Sequence, residues 1–118
     1  MVETPVKVTK PWGYELWLAN NLEEDYCGKI LHVNAGNNFS MHFHVNKHET
    51  FYILKGMCKL QTIDTVTATV TSITLNEGDV VEIPRNKPHQ IIALEEVDII
   101  EVSTYHRDSD SHRVWIDK

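Results

Sequence analysis

The sequence is short of basic charge. Lys and Arg number 11 against 17 Asp and Glu, for a net charge of −6 over 118 residues. Proteins that grip phosphate backbones carry basic patches, so nucleic acid is not an expected partner. Long apolar runs are also missing. A spanning helix needs about 20 consecutive apolar residues, and no stretch approaches that. The N-terminus lacks the basic, apolar and small-residue succession of a secretory leader. The expected location is the cytoplasm, with no membrane association. Cysteine is scarce: Cys27 and Cys58 are too few for a disulfide scaffold and read as reduced thiols. Repeats, low-complexity tracts and linkers are absent. The expectation is one domain over residues 1–118, with a single hydrophobic core.

Helical periodicity is missing as well. What is present is strand after strand. VKVT (6–9), YELWLA (14–19), CGKILHV (27–33), FSMHFH (39–44), ETFYIL (49–54), CKLQTI (58–63), DVVEIP (79–84), HQIIAL (89–94) and DIIEVST (98–104) are rich in β-branched and aromatic residues. Turn formers separate them around Gly36, Gly56, Gly78 and Arg85 to Pro88. The Thr-rich piece 62–74 alternates and predicts one or two further strands with a turn. Many short strands at regular spacing predict an all-β sandwich or small barrel.

Chemistry is concentrated in MHFHVNKHETFYILKG, residues 41–56. On a strand, His42 and His44 share one face with Ser40, while Met41 and Phe43 point away. Glu49 opens the next strand and can face the two imidazoles across the turn. The remaining ligand must come from a distant strand. His89 suits that part, because Pro84 and Pro88 stiffen the turn just before its strand. Imidazole and carboxylate together suit zinc, manganese, iron or nickel. His48 neighbours Glu49 in sequence, so it faces away, as a rim residue or a substitute ligand.

The spacing Gly36, five residues, His42, one residue, His44, four residues, Glu49, six residues, Gly56 resembles the first motif of the cupin superfamily. Gly78, five residues, Pro84, then His89 resembles the second motif, within 78–93. Asn86 stands where that motif usually has glycine, and Ala93 where it often has asparagine. Asn enters the left-handed backbone region more readily than most residues, so Asn86 is a compatible replacement. The resemblance implies a cupin fold: a double-stranded β-helix, or jelly-roll, barrel. It also implies one divalent transition metal, zinc or manganese before iron or nickel, held by His42, His44, Glu49 and His89.

KPWGYELW (10–17) is similar to the opening of the type II mannose-6-phosphate isomerase cupins, and DIIEVSTYHRDSDSHRVWID (98–117) is similar to their ending. This implies a sugar or sugar-phosphate isomerase. Aldose–ketose isomerisation moves a proton between C1 and C2, which requires a base and an electrophile. Glu101 shares a face with Ile99 and Ser103 and is the candidate base. Its alternative role is to orient a ligand histidine, and Glu82 is a weaker candidate. Arg85, in the loop leading to His89, is a candidate for binding substrate phosphate, with Lys10, Lys29 and Arg113 behind it. Two other classes share the ligand set: a cupin dioxygenase, and a non-catalytic cupin that binds a sugar or other small molecule. The expected partners are a small-molecule substrate and a second copy of the chain, because small barrels carry broad apolar outer faces.

Overall fold

The computed structural model describes residues 1–115; residues 116–118, on which the C-terminal sequence pattern ends, lie outside the described residues. The strands are β1 (Val6–Lys10), β2 (Gly13–Asn21), β3 (Tyr26–Val33), β4 (Met41–His44), β5 (Glu49–Lys55), β6 (Met57–Ile63), β7 (Val70–Asn76), β8 (Val80–Ile83), β9 (His89–Ala93), β10 (Val97–Ser103) and β11 (Ser111–Trp115). One 3-10 turn, Asp108–Asp110, precedes β11. A six-stranded sheet runs in the order β1-β2-β3-β10-β5-β8, and a five-stranded sheet runs β11-β4-β9-β6-β7. The two antiparallel sheets face each other as a jelly roll, the expected all-β double-stranded β-helix. Among the described residues, no helix is long and apolar enough to cross a membrane.

The strands agree with the sequence reading except at two places. Phe39 and Ser40 stand before β4 rather than within it. Their carbonyls are diverted to side chains: Gln90 Nε2 donates to Phe39 O at 2.9 Å and His42 Nδ1 to Ser40 O at 2.7 Å. The other difference is β11, which the sequence does not announce. Its residues SHRVW lack an apolar alternation, and the strand is built by pairing with β4.

Alternation sets the interior. Leu31 and Val33 of β3, Phe51 and Ile53 of β5, Ile91 and Ala93 of β9, and Val97 and Ile99 of β10 form the buried core. Each of these strands then turns polar at one end of the barrel. Lys29, Glu49, His89 and Glu101 occupy the next inward positions, all nearly inaccessible. Register explains why they meet: Glu101 lies opposite Lys29 on one side and Phe51 on the other, while Ser103 lies opposite Glu49. One end of the barrel is an apolar plug, and the other is a lined cavity.

Two turns depend on left-handed backbone. Gly56 has φ +89, and a Cβ there would sit 2.0 Å from the Glu96 carbonyl oxygen. Asn86 adopts φ 64, the conformation that lets it replace glycine in the second motif.

Candidate metal centre

His42 and His44 project from β4, and His89 lies directly opposite His42 in the β4–β9 pair. Their ligand nitrogens all lie within 4.8 Å of one another. Each ring is held from behind by a backbone carbonyl: His42 Nδ1 by Ser40 O at 2.7 Å, His44 Nδ1 by Asp110 O at 3.1 Å, and His89 Nδ1 by Lys87 O at 2.9 Å. A carbonyl can only accept, so each Nδ1 carries the proton. The Nε2 atoms therefore present lone pairs to a common point. Burial favours this neutral state, pushing His42 down to about 3. His44 falls to about 4, again chiefly through burial and against the pull of Glu49.

Glu49 Oε1 faces the same point, 2.9 Å from His89 Nε2 and 3.4 Å from His44 Nε2. The shorter contact is not a hydrogen bond, since His89 has already committed its proton to Lys87. Glu49 Oε1 and His89 Nε2 are both buried with no hydrogen-bond partner. Two acceptors so placed, unpaired, are costly unless a cation sits between them. Burial works to raise the Glu49 carboxyl, and the Lys47 ammonium 3.3 Å from its Oε2 works to lower it. The donor set is nitrogen and carboxylate oxygen with no opposing proton, which fits a divalent transition metal.

These groups line one side of a cavity of about 530 Å³, within the roughly 300–1,000 Å³ of small-molecule sites. Glu101 lines it too, buried on β10. It accepts from Lys47 Nζ at 3.0 Å and Ser103 Oγ at 2.9 Å, both at Oε2. Burial and then the Glu49 charge push its carboxyl up, against the pull of Lys47 and Lys29.

The structure does not bring Arg85 to this cavity. Its exposed side chain is held outside, with Nε donating to Asn46 O at 2.8 Å. The cations lining the cavity are Lys10, Lys29, Lys47 and Arg113. Lys29 is consumed internally, 3.4 Å from Glu15 and 4.3 Å above the Trp17 ring. His48 faces away, its Nε2 2.6 Å from the exposed Glu82. Cys27 and Cys58 are buried free thiols.

The sequence profile of the family described as "Cupin domain" matches residues 29–105. The chain belongs to the cupin family. No curated protein matches it by sequence. Among solved structures, oxalate decarboxylase from Bacillus subtilis superposes with a TM-score of 0.79 at 18% identity, over 93% of this chain and 30% of its own. The capsular polysaccharide assembling protein CapF from Staphylococcus aureus gives 0.81 at 14% identity, over 98% of this chain and 34% of its own. KdgF from Halomonas sp. gives 0.72 at 18% identity, over 86% of this chain and 88% of its own. At such identities the likeness is one of fold. This cupin spans about a third of the first two proteins.

The site depends on residues outside the two cupin motifs. Asp110 is the clearest case. Its carboxylate accepts from the backbone N–H groups of Val45, Asn46 and Lys47, at 2.9 to 3.1 Å. Its own carbonyl orients His44. This one buried residue therefore ties the β4–β5 loop to the C-terminal strand. Asp110→Ala leaves three backbone donors without their partner. It is expected to cost about 2–4 kcal/mol, read as a lower urea midpoint at unchanged slope. A midpoint equal to that of the parent would remove Asp110 from this role. Lys47 was equally unannounced, since it lies in a loop where no periodicity marks a residue as inward-facing.

Proposed function

We propose that this cupin is a metal-dependent sugar or sugar-phosphate isomerase of the mannose-6-phosphate type. His42, His44, Glu49 and His89 hold one divalent metal, zinc or manganese before iron or nickel. Bacillus subtilis oxalate decarboxylase, of the same fold, carries Mn(II) centres. The observation that carries the reading is the second carboxylate. Glu101 faces the same cavity as the lone-pair cluster but is tied to Lys47 and Ser103 rather than to the histidines. A site with an electrophile and a separate base is what proton transfer between adjacent carbons requires.

When bound, the metal supplies Lewis acidity that polarises the carbonyl and alkoxide oxygens of the sugar. Glu101 then takes the proton from one carbon and returns it to the next through Oε1, the oxygen its protein partners leave free. Its raised proton affinity suits a base working near neutrality. Trp12 packs edge-on to Phe39, with centroids 5.9 Å apart, and gives the cavity an apolar wall for the sugar ring. A substrate phosphate meets Lys10 and Arg113 rather than Arg85. Arg113 lies opposite His42 across the β11–β4 pair, so its side chain leaves the strand on the cavity side.

The test is proton NMR in D2O with metal-loaded protein and a panel led by fructose 6-phosphate and mannose 6-phosphate. Deuterium at C2 with interconversion of the sugars is expected. Loss of that exchange in Glu101→Gln protein that still takes up metal would assign the base. No exchange from metal-replete wild type across the panel would overturn the isomerase reading in favour of a dioxygenase or a binding module.

The same cupin is proposed to act as a homodimer. Leu16, Ile30, Ile100, Tyr52 and Val80 are successive register partners across five strands of the larger sheet, on its outer face. Tyr52 is 38% and Val80 65% exposed. Such a continuous apolar row is what a two-fold partner covers. Light scattering is expected to give twice the chain mass, and Ile100→Glu to halve it. A monomer mass for the parent chain would refute the pairing.

A further inference from the structure

Lys47 is nearly inaccessible, yet it is not free to bind a ligand. Its Nζ lies 3.3 Å from Glu49 Oε2, 3.0 Å from Glu101 Oε2 and 3.0 Å from His106 Nδ1. His106 Nε2 faces Asp108 Oδ1 at 2.8 Å, and a carboxylate can only accept, so His106 turns a lone pair toward the lysine. Each N–H of the ammonium then has a partner and none is left over. His106 is itself fixed. Its backbone N–H donates to Asn20 Oδ1 at 2.8 Å, and its ring packs edge-on to Trp17.

We infer that Lys47 is a positioning residue that assigns the two carboxylates of the cavity to different tasks. By engaging Glu49 Oε2, it leaves only Oε1 turned toward the histidine cluster. By engaging Glu101 Oε2, it draws that carboxylate away from the cluster and leaves Oε1 to the cavity. Glu49 and Glu101 lie near each other on neighbouring strands, β5 and β10; Ser103 Oγ holds only Glu101, whereas Lys47 contacts both carboxylates at once. The inference rests on His42, His44, Glu49 and His89 being metal ligands, but not on the protein being an isomerase.

The test uses Mn2+ as the probe and needs no turnover. Lys47→Met alone would bury two uncompensated carboxylates and endanger folding. The informative variant is Lys47→Met with Glu101→Gln, which removes one charge of each sign. It is expected to fold and to bind Mn2+, with an electron paramagnetic resonance spectrum whose fine structure differs from wild type, because Glu49 Oε2 has lost its partner. Lys47→Arg keeps charge and donors and is expected to retain the wild-type spectrum. A wild-type spectrum in the double variant would reduce Lys47 to a charge balancer and overturn the inference. So would a spectral shift in Lys47→Arg as large as in the double variant. The arginine variant preserves the charge pairs, so a spectrum that departs from wild type in that variant overturns the inference even where the double variant does not fold. Failure of the D2O exchange experiment would leave this result standing, and the reverse also holds.

Discussion

His89→Ala is expected to weaken Mn2+ or Zn2+ binding by about a hundredfold or more and to remove most of the stabilisation that metal gives the parent protein. The side chain is 1% exposed, its Nδ1 is anchored to Lys87 O, and its Nε2 is one of two buried side-chain polar atoms without a partner among the described residues. As a proposed ligand so constrained, His89 would contribute its full share of binding, because the fold has already met the cost of orienting it. Metal at about a thousand times its dissociation constant stabilises a folded state by roughly 4 kcal/mol. The parent should therefore melt several degrees higher with metal than without, and the variant, if a hundredfold weaker, should gain only about a third of that stabilisation at the same metal concentration. The metal-free forms should differ much less. Losing the imidazole opens a small void but also removes an unpaired buried acceptor beside Glu49. His48→Ala is the control. That ring is exposed and bound to Glu82, so metal affinity should not change. Calorimetric titration of the three proteins settles the matter. An alanine variant binding within threefold of the parent would remove His89 from the ligand set.

The contrast between His89 and Lys47 shows where sequence reasoning reaches and where it stops. His42 and His44 can be placed on one face from the period of a strand alone. Lys29 could have been found the same way. It occupies the buried parity of Cys27, Leu31 and Val33, and a lysine on that parity is a signal of an internal partner. Lys47 and His106 sit in loops, where the chain has no period and direction is set by tertiary contacts. Asp110 is visible only once β11 is paired to β4, and β11 has no apolar pattern to reveal it. Arg85 shows the opposite failure. Nearness in sequence to His89 suggested nearness to the cavity. The chain turns through left-handed Asn86 just after it, and the Arg85 guanidinium is spent on Asn46 O, outside. The fold was legible because alternation and turn residues are local signals. The electrostatic frame around the histidines was not, because it is assembled from segments far apart in the chain.

That frame makes acid the most damaging condition for the metal-free protein, and a steep loss of stability is expected as pH falls from about 6.5 toward 4. Burial, the largest cause in each case, holds His42 down to about 3 and His44 and His106 to about 4. In the unfolded chain the same groups titrate near 6.5. Across that window the unfolded state binds more protons, so stability is complete above it and is lost as pH falls through it toward the folded values. Each tenfold loss of proton affinity is about 1.4 kcal/mol, so at pH 4 the three rings together cost the folded state on the order of 5 kcal/mol or more. That is comparable to the whole stability of a domain, about 5–15 kcal/mol. The metal-free protein should therefore unfold near pH 4 to 5, followed by circular dichroism. Bound metal requires the same nitrogens unprotonated, so saturating Mn2+ should carry the transition to lower pH until protons displace the ion. A metal-free protein whose melting temperature is flat from pH 7 to 4 would contradict the neutral, buried state assigned to these rings. His106→Gln separates the contributions. It removes one titrating ring that is not among the proposed metal ligands, so it should make the acid transition shallower.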